Sequence, residues 1–277
     1  MVVAVTGAGG LLGRAVSEAF GGSAQALTHA DVDVTSPASV ERVLADGEVE
    51  LCVHCAADPD IAACERDPAR ARALNTDGAR IVAEACARHG VRLVHVSSDY
   101  VFDGALSRPY RETDPVSPLQ VYGRTKADAE LTVRAAADAL VVRLPLLYGG
   151  GPGARTTFPD TVVDAIRSGR PLDADARETR QPALVADVAD RIRALARRSD
   201  VTGIVHVAPD DTVTKADWAR RIAVMLGADP AFVRPTYEVP AVPRPVRSTL
   251  DNSRLKALGI APPRSYAVAT AHYLSGR

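Results

Sequence analysis

Val2-Val3-Ala4-Val5-Thr6-Gly7-Ala8-Gly9-Gly10-Leu11-Leu12-Gly13 opens the chain, and its reading decides the fold. Val2–Val5 is a short β run, and Leu11–Phe20 carries apolar residues at helical spacing until Gly21-Gly22 stops it. A strand that breaks into glycines and resumes as a helix opens a nucleotide-binding unit. Outward from it, Ala24–Thr28 is a weak second strand, Ser36-Pro37 caps a helix to about Asp46, and Glu50–Cys55 is an apolar third strand. Asp67-Pro68 starts a long helix that reaches His89 and ends at Gly90. Val91–Val96 is the fourth strand, a helix runs over about Leu119–Asp138, and Leu140–Leu144 is the fifth strand.

Strands alternating with helices predict an α/β fold, a doubly wound parallel sheet of the Rossmann type, as a dinucleotide-binding domain over residues 1–150. Gly149-Gly150-Gly151-Pro152-Gly153 then reads as a flexible break. Residues 151–277 mix shorter helices with isolated strands such as Ile204–Val207, and read as a smaller C-terminal α/β substrate lobe from which the chain is free to return in part. Five prolines from Pro230 to Pro245 exclude a helix there and predict an extended crossing loop.

Composition excludes several classes of function. Basic and acidic side chains balance, 33 against 34, whereas nucleic acid and anionic membranes demand a surplus of Lys and Arg; neither is expected as a partner. Arg143 splits the best apolar stretch, Leu140–Leu147, so no bilayer-spanning segment is expected. The N-terminus shows no basic leader, which points to the cytoplasm. Cys52, Cys55, Cys64 and Cys86 fit free thiols. Cys52-Val53-His54-Cys55 has CxxC spacing, but positions three apart on a strand face opposite ways and no second pair follows, so no metal site is expected.

Within the loop, Gly7 permits the tight turn, Gly10 lets backbone approach a pyrophosphate, and Gly13 allows close packing, while the helix N-terminus offers unpaired N–H groups to the anion. A second signal is Tyr122-Gly123-Arg124-Thr125-Lys126. Four residues apart on a helix, the phenol and the ammonium share a face. The strand before it ends in Ser97-Ser98-Asp99, at the carboxyl edge where open α/β sheets bind ligands. A nearby cation favours the phenolate, so Tyr122 is expected to exchange protons near neutral pH.

With these residues in place, the chain resembles the extended short-chain dehydrogenase/reductase superfamily, and within it the dTDP-4-dehydrorhamnose reductase family. The resemblance runs from the glycine loop through Asp31-Val32-Asp33-Val34, Ser97-Ser98-Asp99-Tyr100-Val101-Phe102-Asp103-Gly104 and Pro109-Tyr110-Arg111-Glu112. It continues in Pro118-Leu119-Gln120-Val121-Tyr122-Gly123-Arg124-Thr125-Lys126, Val142-Arg143-Leu144-Pro145-Leu146-Leu147-Tyr148-Gly149, and Arg244-Pro245 with Leu250-Asp251. Asp-Tyr-Val-Phe-Asp-Gly is the most specific of these runs.

The resemblance implies a reductase using NADP(H), with NAD(H) as the second option, on a small-molecule ketone, foremost the keto group of a nucleotide-activated 4-keto-deoxysugar. Tyr122 would protonate the carbonyl oxygen, Lys126 would hold the nicotinamide ribose hydroxyls and lower the tyrosine pKa, and Ser98 would hydrogen-bond the carbonyl. The cofactor would lie along Gly7, Gly9, Gly10, Leu11, Leu12 and Gly13, with Asp33 and Val34 by the adenine, Ala56 and Ala57 along its path, and Pro145 near the nicotinamide. Tyr100 would face substrate, and Asn75 would organise the proton path or else be a helix-surface amide. A homodimer is compatible with the family.

Two positions depart from it. Leu146 stands where sugar-nucleotide reductases often carry an aromatic residue, and Arg14 stands near where some relatives place an acidic metal ligand, so magnesium is not carried over. The same similarity includes a non-enzymatic branch, the regulatory subunit of methionine adenosyltransferase, and that alternative stays open. Thr28-His29 after the second strand has no acid at the ribose-gripping place, which predicts a preference for NADPH with His29 beside the cofactor. Arg180 and Arg244 are candidate diphosphate contacts or ordinary arginines, and Asp187 is read as a helix cap.

Overall fold

A computed structural model of the chain describes residues 1–45, 47–137, 139–151 and 155–276. The helix ends expected at Asp46 and Asp138 and the Pro152-Gly153 part of the expected break lie outside the described residues. In chain order the elements that build the main domain are β1 (Val2–Thr6), α1 (Leu11–Phe20), β2 (Ala24–Leu27), α2 (Pro37–Leu44), β3 (Val49–His54), α3 (Gly78–His89), β4 (Arg92–Ser98), α4 (Val121–Ala136), β5 (Leu140–Leu144), α5 (Val185–Ala196) and β6 (Gly203–His206). The six strands form one sheet in the order β6-β5-β4-β3-β1-β2, every pair parallel, which is a Rossmann-like doubly wound arrangement. The order reverses between β1 and β3, so a crevice opens outside their carboxyl ends.

Alternation along each strand explains why both faces are covered. Val3, Val5, Leu51, Val53, Val94 and Val142 join one buried cluster with Leu12 and Val16 of α1 and Val188, Ile192 and Leu195 of α5. Their neighbours Ala4, Cys52, Leu93 and Val141 join the opposite cluster, with Val40 of α2 and Val82 of α3. Each fully buried aliphatic side chain contributes roughly 1.5–3 kcal/mol, so a two-faced core fixes the strand register firmly. Cys52 sits in the second cluster while Cys55 packs against the first, as expected of strand positions three apart. Burial pushes the Cys55 thiol up to about 12. Among the described residues no three His, Cys, Asp or Glu side chains are grouped to hold a metal, and no helix is long and apolar enough to cross a membrane.

Local signals set several boundaries. Ser36 accepts from the Ser39 amide at the start of α2, and Gly90 ends α3 in the left-handed conformation at φ 65°. The expected helix from Pro68 to His89 does form one rod, but its middle, Ala73–Asp77, widens into a π turn around the buried Asn75. Such single wide turns mark places where a side chain must be re-aimed.

Three expectations need correction. Ile204–Val207 does not stand isolated in the second lobe, since Gly203–His206 pairs with β5 at the sheet edge. The proline-rich segment is not wholly extended: Pro230–Phe232 makes one 3-10 turn, begun by Asp229 accepting from Ala231 N, before Val233–Thr236 pairs beside Leu172–Asp175. Asp187 does not cap α5, whose N-cap is Leu184 without a side-chain bond; it takes a bidentate grip from Arg264 instead, at 2.6 and 2.9 Å.

Three further helices, Phe158–Arg167, Lys215–Met225 and Tyr266–Ser275, pack around Trp218, Ile222, Tyr148 and Val162. Trp218 satisfies its indole N–H on Thr270 Oγ at 2.9 Å, so a large aromatic is buried with no polar cost. That second core holds residues 156–158 and 215–218 over the crevice of the sheet.

Candidate active site

The glycine loop is shaped by close approach. Gly7 has φ +69°, and a Cβ there would lie 2.7 Å from Ala56 N, so the turn and the passage of the chain after β3 both require glycine. A Cβ on Gly13 would overlap the Gly7 carbonyl, which lets the first turn of α1 close directly on the loop. Helix α1 begins at Gly10 with no side-chain cap and no acidic residue in its first turn. Its N-terminal amides and partial positive charge therefore suit a phosphate group.

From this loop a groove of about 1180 Å³ runs across the carboxyl edge of the sheet. One end is lined by Gly7, Gly9, Gly10, Leu11, Leu12 and Gly13, together with Thr28, His29, Asp33 and Val34. Ala56 and Ala57 form its floor, and Ser98, Tyr122, Lys126 and Pro145 meet at its centre. Tyr100, Leu146 and Arg244 line the far end, beneath Phe158, Lys215 and Trp218. All but one of the residues expected to touch cofactor or substrate are thus on a single surface. The residues fit an extended dinucleotide: an uncapped helix end for the phosphates, a half-apolar floor, and a lysine near the place expected for the nicotinamide ribose.

The exception is Arg180. Its guanidinium is buried behind Tyr100, donating to Glu178 Oε2 at 2.7 Å, Ser248 Oγ at 2.6 Å and Tyr100 Oη at 3.4 Å, with Asp99 Oδ2 at 3.8 Å. It spends its donors inside the fold and does not line the groove, which corrects its reading as a diphosphate contact. Arg244 behaves differently. It lines the groove, and its buried Nε has no hydrogen-bond partner among the described residues.

At the centre, Ser98 Oγ accepts from Tyr100 N and donates to Asp99 Oδ1, both at 3.2 Å, and Asp99 Oδ2 is held by Ser248 Oγ at 2.5 Å. Ser98 is therefore oriented from two sides. The expected lowering of the Tyr122 pKa is not met. Burial pushes the phenol well above its ordinary value, with Asp99 and Tyr100 adding to the effect and the Ser98 hydrogen bond opposing it. Tyr122 keeps its proton throughout the neutral range and is a donor. Lys126 Nζ lies 3.3 Å from His95 Nε2, and burial lowers its pKa to about 8 although Glu130 pulls it upward.

Asn75 is no surface amide. Its Oδ1 accepts from Asp58 N at 2.7 Å, and its Nδ2 donates to Asp58 O at 3.2 Å and Thr125 Oγ1 at 3.1 Å. It ties the chain after β3 to the residue before Lys126. Arg14 also lines the groove, a position that its place directly after Gly13 could have revealed. Lys215 and Trp218 had no such signal, because only the packing of the second core brings them to the groove. Asp31, close to the ribose end in sequence, is turned back: its carboxylate accepts from Thr28 N at 2.8 Å and Thr28 Oγ1 at 2.6 Å.

With the geometry established, comparison with known proteins gives a consistent picture. The family model described as the RmlD substrate binding domain matches residues 1–276. A probable dTDP-4,6-dihydroxy-2-methyloxan-3-one 4-ketoreductase from Streptomyces antibioticus is 38% identical over 278 residues, covering 96% of this chain and 92% of that protein. Methionine adenosyltransferase 2 subunit beta from Pongo abelii is 34% identical over 281 residues, covering 93% and 82%. The crystal structure of dTDP-4-dehydrorhamnose reductase from Bacillus anthracis in complex with NADP superposes with a TM-score of 0.93 at 25% identity, covering 100% of both chains.

Proposed function

We propose, from the premise that the chain belongs to the RmlD substrate binding domain family, that it is an NADPH-preferring reductase of the keto group of a nucleotide-activated deoxysugar. The observation that carries this reading is the convergence of Ser98, Tyr122 and Lys126 on the same groove as the glycine loop, with Arg244 and Lys215 at its far end. The bound nicotinamide supplies the hydride. Tyr122 gives its proton to the ketone oxygen as the carbonyl becomes an alcohol, and Ser98, its oxygen fixed by the Tyr100 amide, turns its single O–H from Asp99 to donate to that oxygen. Lys126 holds the ribose hydroxyls of the cofactor. Arg244 and Lys215 take the diphosphate of the sugar nucleotide, and Tyr100 and Phe158 wall the sugar.

NADPH consumption against a panel of keto-sugar nucleotides tests the reading, and no turnover with any of them would overturn it. Leu146 sharpens the expectation. An aliphatic side chain in place of an aromatic wall leaves a wider pocket that stacks a sugar ring less well, so the preferred ketone is expected to be larger or differently substituted than dTDP-4-dehydrorhamnose. If that compound gave the highest kcat/KM of the panel, the idea would be wrong.

Cofactor choice follows from the ribose end. Asp31 is occupied by Thr28 and does not line the groove, while Arg14, Thr28 and His29 do. A 2′-phosphate thus meets a cation, while the Asp33 carboxylate that also lines this end already accepts from Thr35 N at 2.9 Å and Thr35 Oγ1 at 2.7 Å. NADPH is expected to bind more tightly than NADH, and Arg14→Ala to weaken NADPH about 10-fold, the scale of one charge-assisted hydrogen bond, with NADH little changed. Equal loss for both cofactors would show that Arg14 has no part in the discrimination.

The regulatory reading remains the competing one, favoured by the similarity to methionine adenosyltransferase 2 subunit beta. It requires cofactor binding and a partner surface, and no ketone turnover.

A further inference from the structure

Beneath Tyr122, a file of buried polar side chains runs from Lys126 back to the glycine loop. Lys126 Nζ lies 3.3 Å from His95 Nε2, and the His95 ring stacks on His54 with centroids 5.4 Å apart and planes inclined by 27°. His54 Nδ1 lies 2.8 Å from Oγ1 of Thr6, the last residue of β1 before Gly7. Thr6, His54, His95 and Lys126 are each 4% exposed or less. Among the described residues, His95 Nδ1 and His54 Nε2 have no partner, so the two imidazoles are placed in the core at a polar cost that aliphatic side chains would avoid.

Both rings are neutral: burial and the nearby ammonium hold His95 well below the ordinary histidine range and His54 at about 3. A neutral His95 with its proton on Nδ1 presents a lone pair on Nε2, and the Lys126 ammonium, which has three N–H bonds, donates one to it. We propose that His95 is the positioning residue for Lys126, taking one ammonium N–H into a neutral acceptor so that the other two are aimed into the groove with the positive charge intact. A carboxylate there would hold the lysine as well but would cancel the charge that ribose hydroxyls and phenol are to meet. The one carboxylate a turn further along α4, Glu130, is already taken by Arg143 at 2.6 Å and by Ser97 at 2.5 Å. This rests on the reading of Lys126 as a cofactor ligand.

The titratable and charged groups facing Lys126 are Tyr122 and Glu130 on its own helix, Arg143 of β5 through Glu130, Cys55 and His54 from β3 and its end, and His95 of β4. Cys64, Asp99 and Tyr100, from the elements on the other side of α4, act on Tyr122. In the unaltered protein, the Kd for NADPH, read by fluorescence across a pH series, is expected to rise as pH passes through the Lys126 pKa of about 8. Removing the acceptor while keeping a ring on His54, as in His95→Phe, should make the ammonium easier to deprotonate and move that break to lower pH by about one unit or more.

His95→Asn keeps an acceptor and should leave the break near its original place, whereas Lys126→Met should abolish it. Should the phenyl ring not fold, His95→Met removes the acceptor with a flexible side chain and carries the same expectation. A break that stays in place in the Phe or Met variant would overturn the proposal, since losing an acceptor of the ammonium N–H must make that ammonium easier to deprotonate. So would Asn and Phe variants that shift alike. The titration needs no ketone: absent turnover would sink the reductase reading, and an unmoved break would sink His95 alone.

Discussion

Tyr122→Phe is expected to lower ketone turnover by about 100-fold or more, the usual scale for a positioned general acid, while leaving NADPH affinity nearly unchanged. The substitution removes one oxygen and keeps the ring, which packs beside Cys64, Ala71 and Val121 and edge-on to Tyr100 with centroids 6.0 Å apart. The phenol also holds its proton firmly at neutral pH, because burial raises its pKa. In the reducing direction that is an advantage: the acid is loaded at every physiological pH, and the developing alkoxide is basic enough to take its proton. Lys126→Ala should differ, weakening both turnover and cofactor binding, since one ammonium serves both. For a regulatory subunit, both variants would leave partner stimulation intact and the unaltered protein would reduce no ketone. Full activity in Tyr122→Phe would move the acid elsewhere, with Tyr100, also in the groove, the first alternative.

The strand and loop signals of the first half were legible because a sheet covered on both faces leaves continuous apolar runs, and because Gly7 and Gly13 answer to local geometry that no other residue meets. The place of β6 was not, for Ile204–Val207 reads as a strand but only its lying along β5 makes it the edge of the main sheet. Arg180 shows a similar limit at the site. Its motif looked like that of a free guanidinium, but availability depends on Glu178, Ser248 and Asp99, and two of these are far away in sequence. His95 and Lys215 carry no sequence signal for opposite reasons, one hidden in an apolar strand, the other brought to the groove by the second core. The pKa of Tyr122 is not legible in the sequence, because spacing shows that a cation is near and not how deeply the phenol is buried.

The second large effect is expected at Glu130, one turn below Lys126. Its carboxylate accepts from Arg143 Nε at 2.9 Å and Nη2 at 2.6 Å, and both side chains are buried, Arg143 at 2% and Glu130 at 5% exposure. Arg143 also lies over the Phe102 ring at 4.9 Å and 3.4 Å from His206 Nε2. A neutral imidazole held at about 3 by burial and by that same guanidinium cannot replace a carboxylate. Glu130→Leu therefore strands a guanidinium in the core, and breaking a buried pair from one side costs about 3–5 kcal/mol. Against a typical total of about 5–15 kcal/mol this is a large share, of the order of 10 °C in Tm, readable by urea or thermal unfolding. Arg143→Leu should be comparably damaging, leaving the carboxylate without its partner. The double variant is the decisive case. If the loss arises from an uncompensated charge, replacing both residues removes the charge and the desolvation it demands, and stability should return to within about 1–2 kcal/mol of the starting protein. If the double variant instead lost the sum of the two single effects, the pair would be acting as packing volume between α4 and β5, and its ionic character would be incidental.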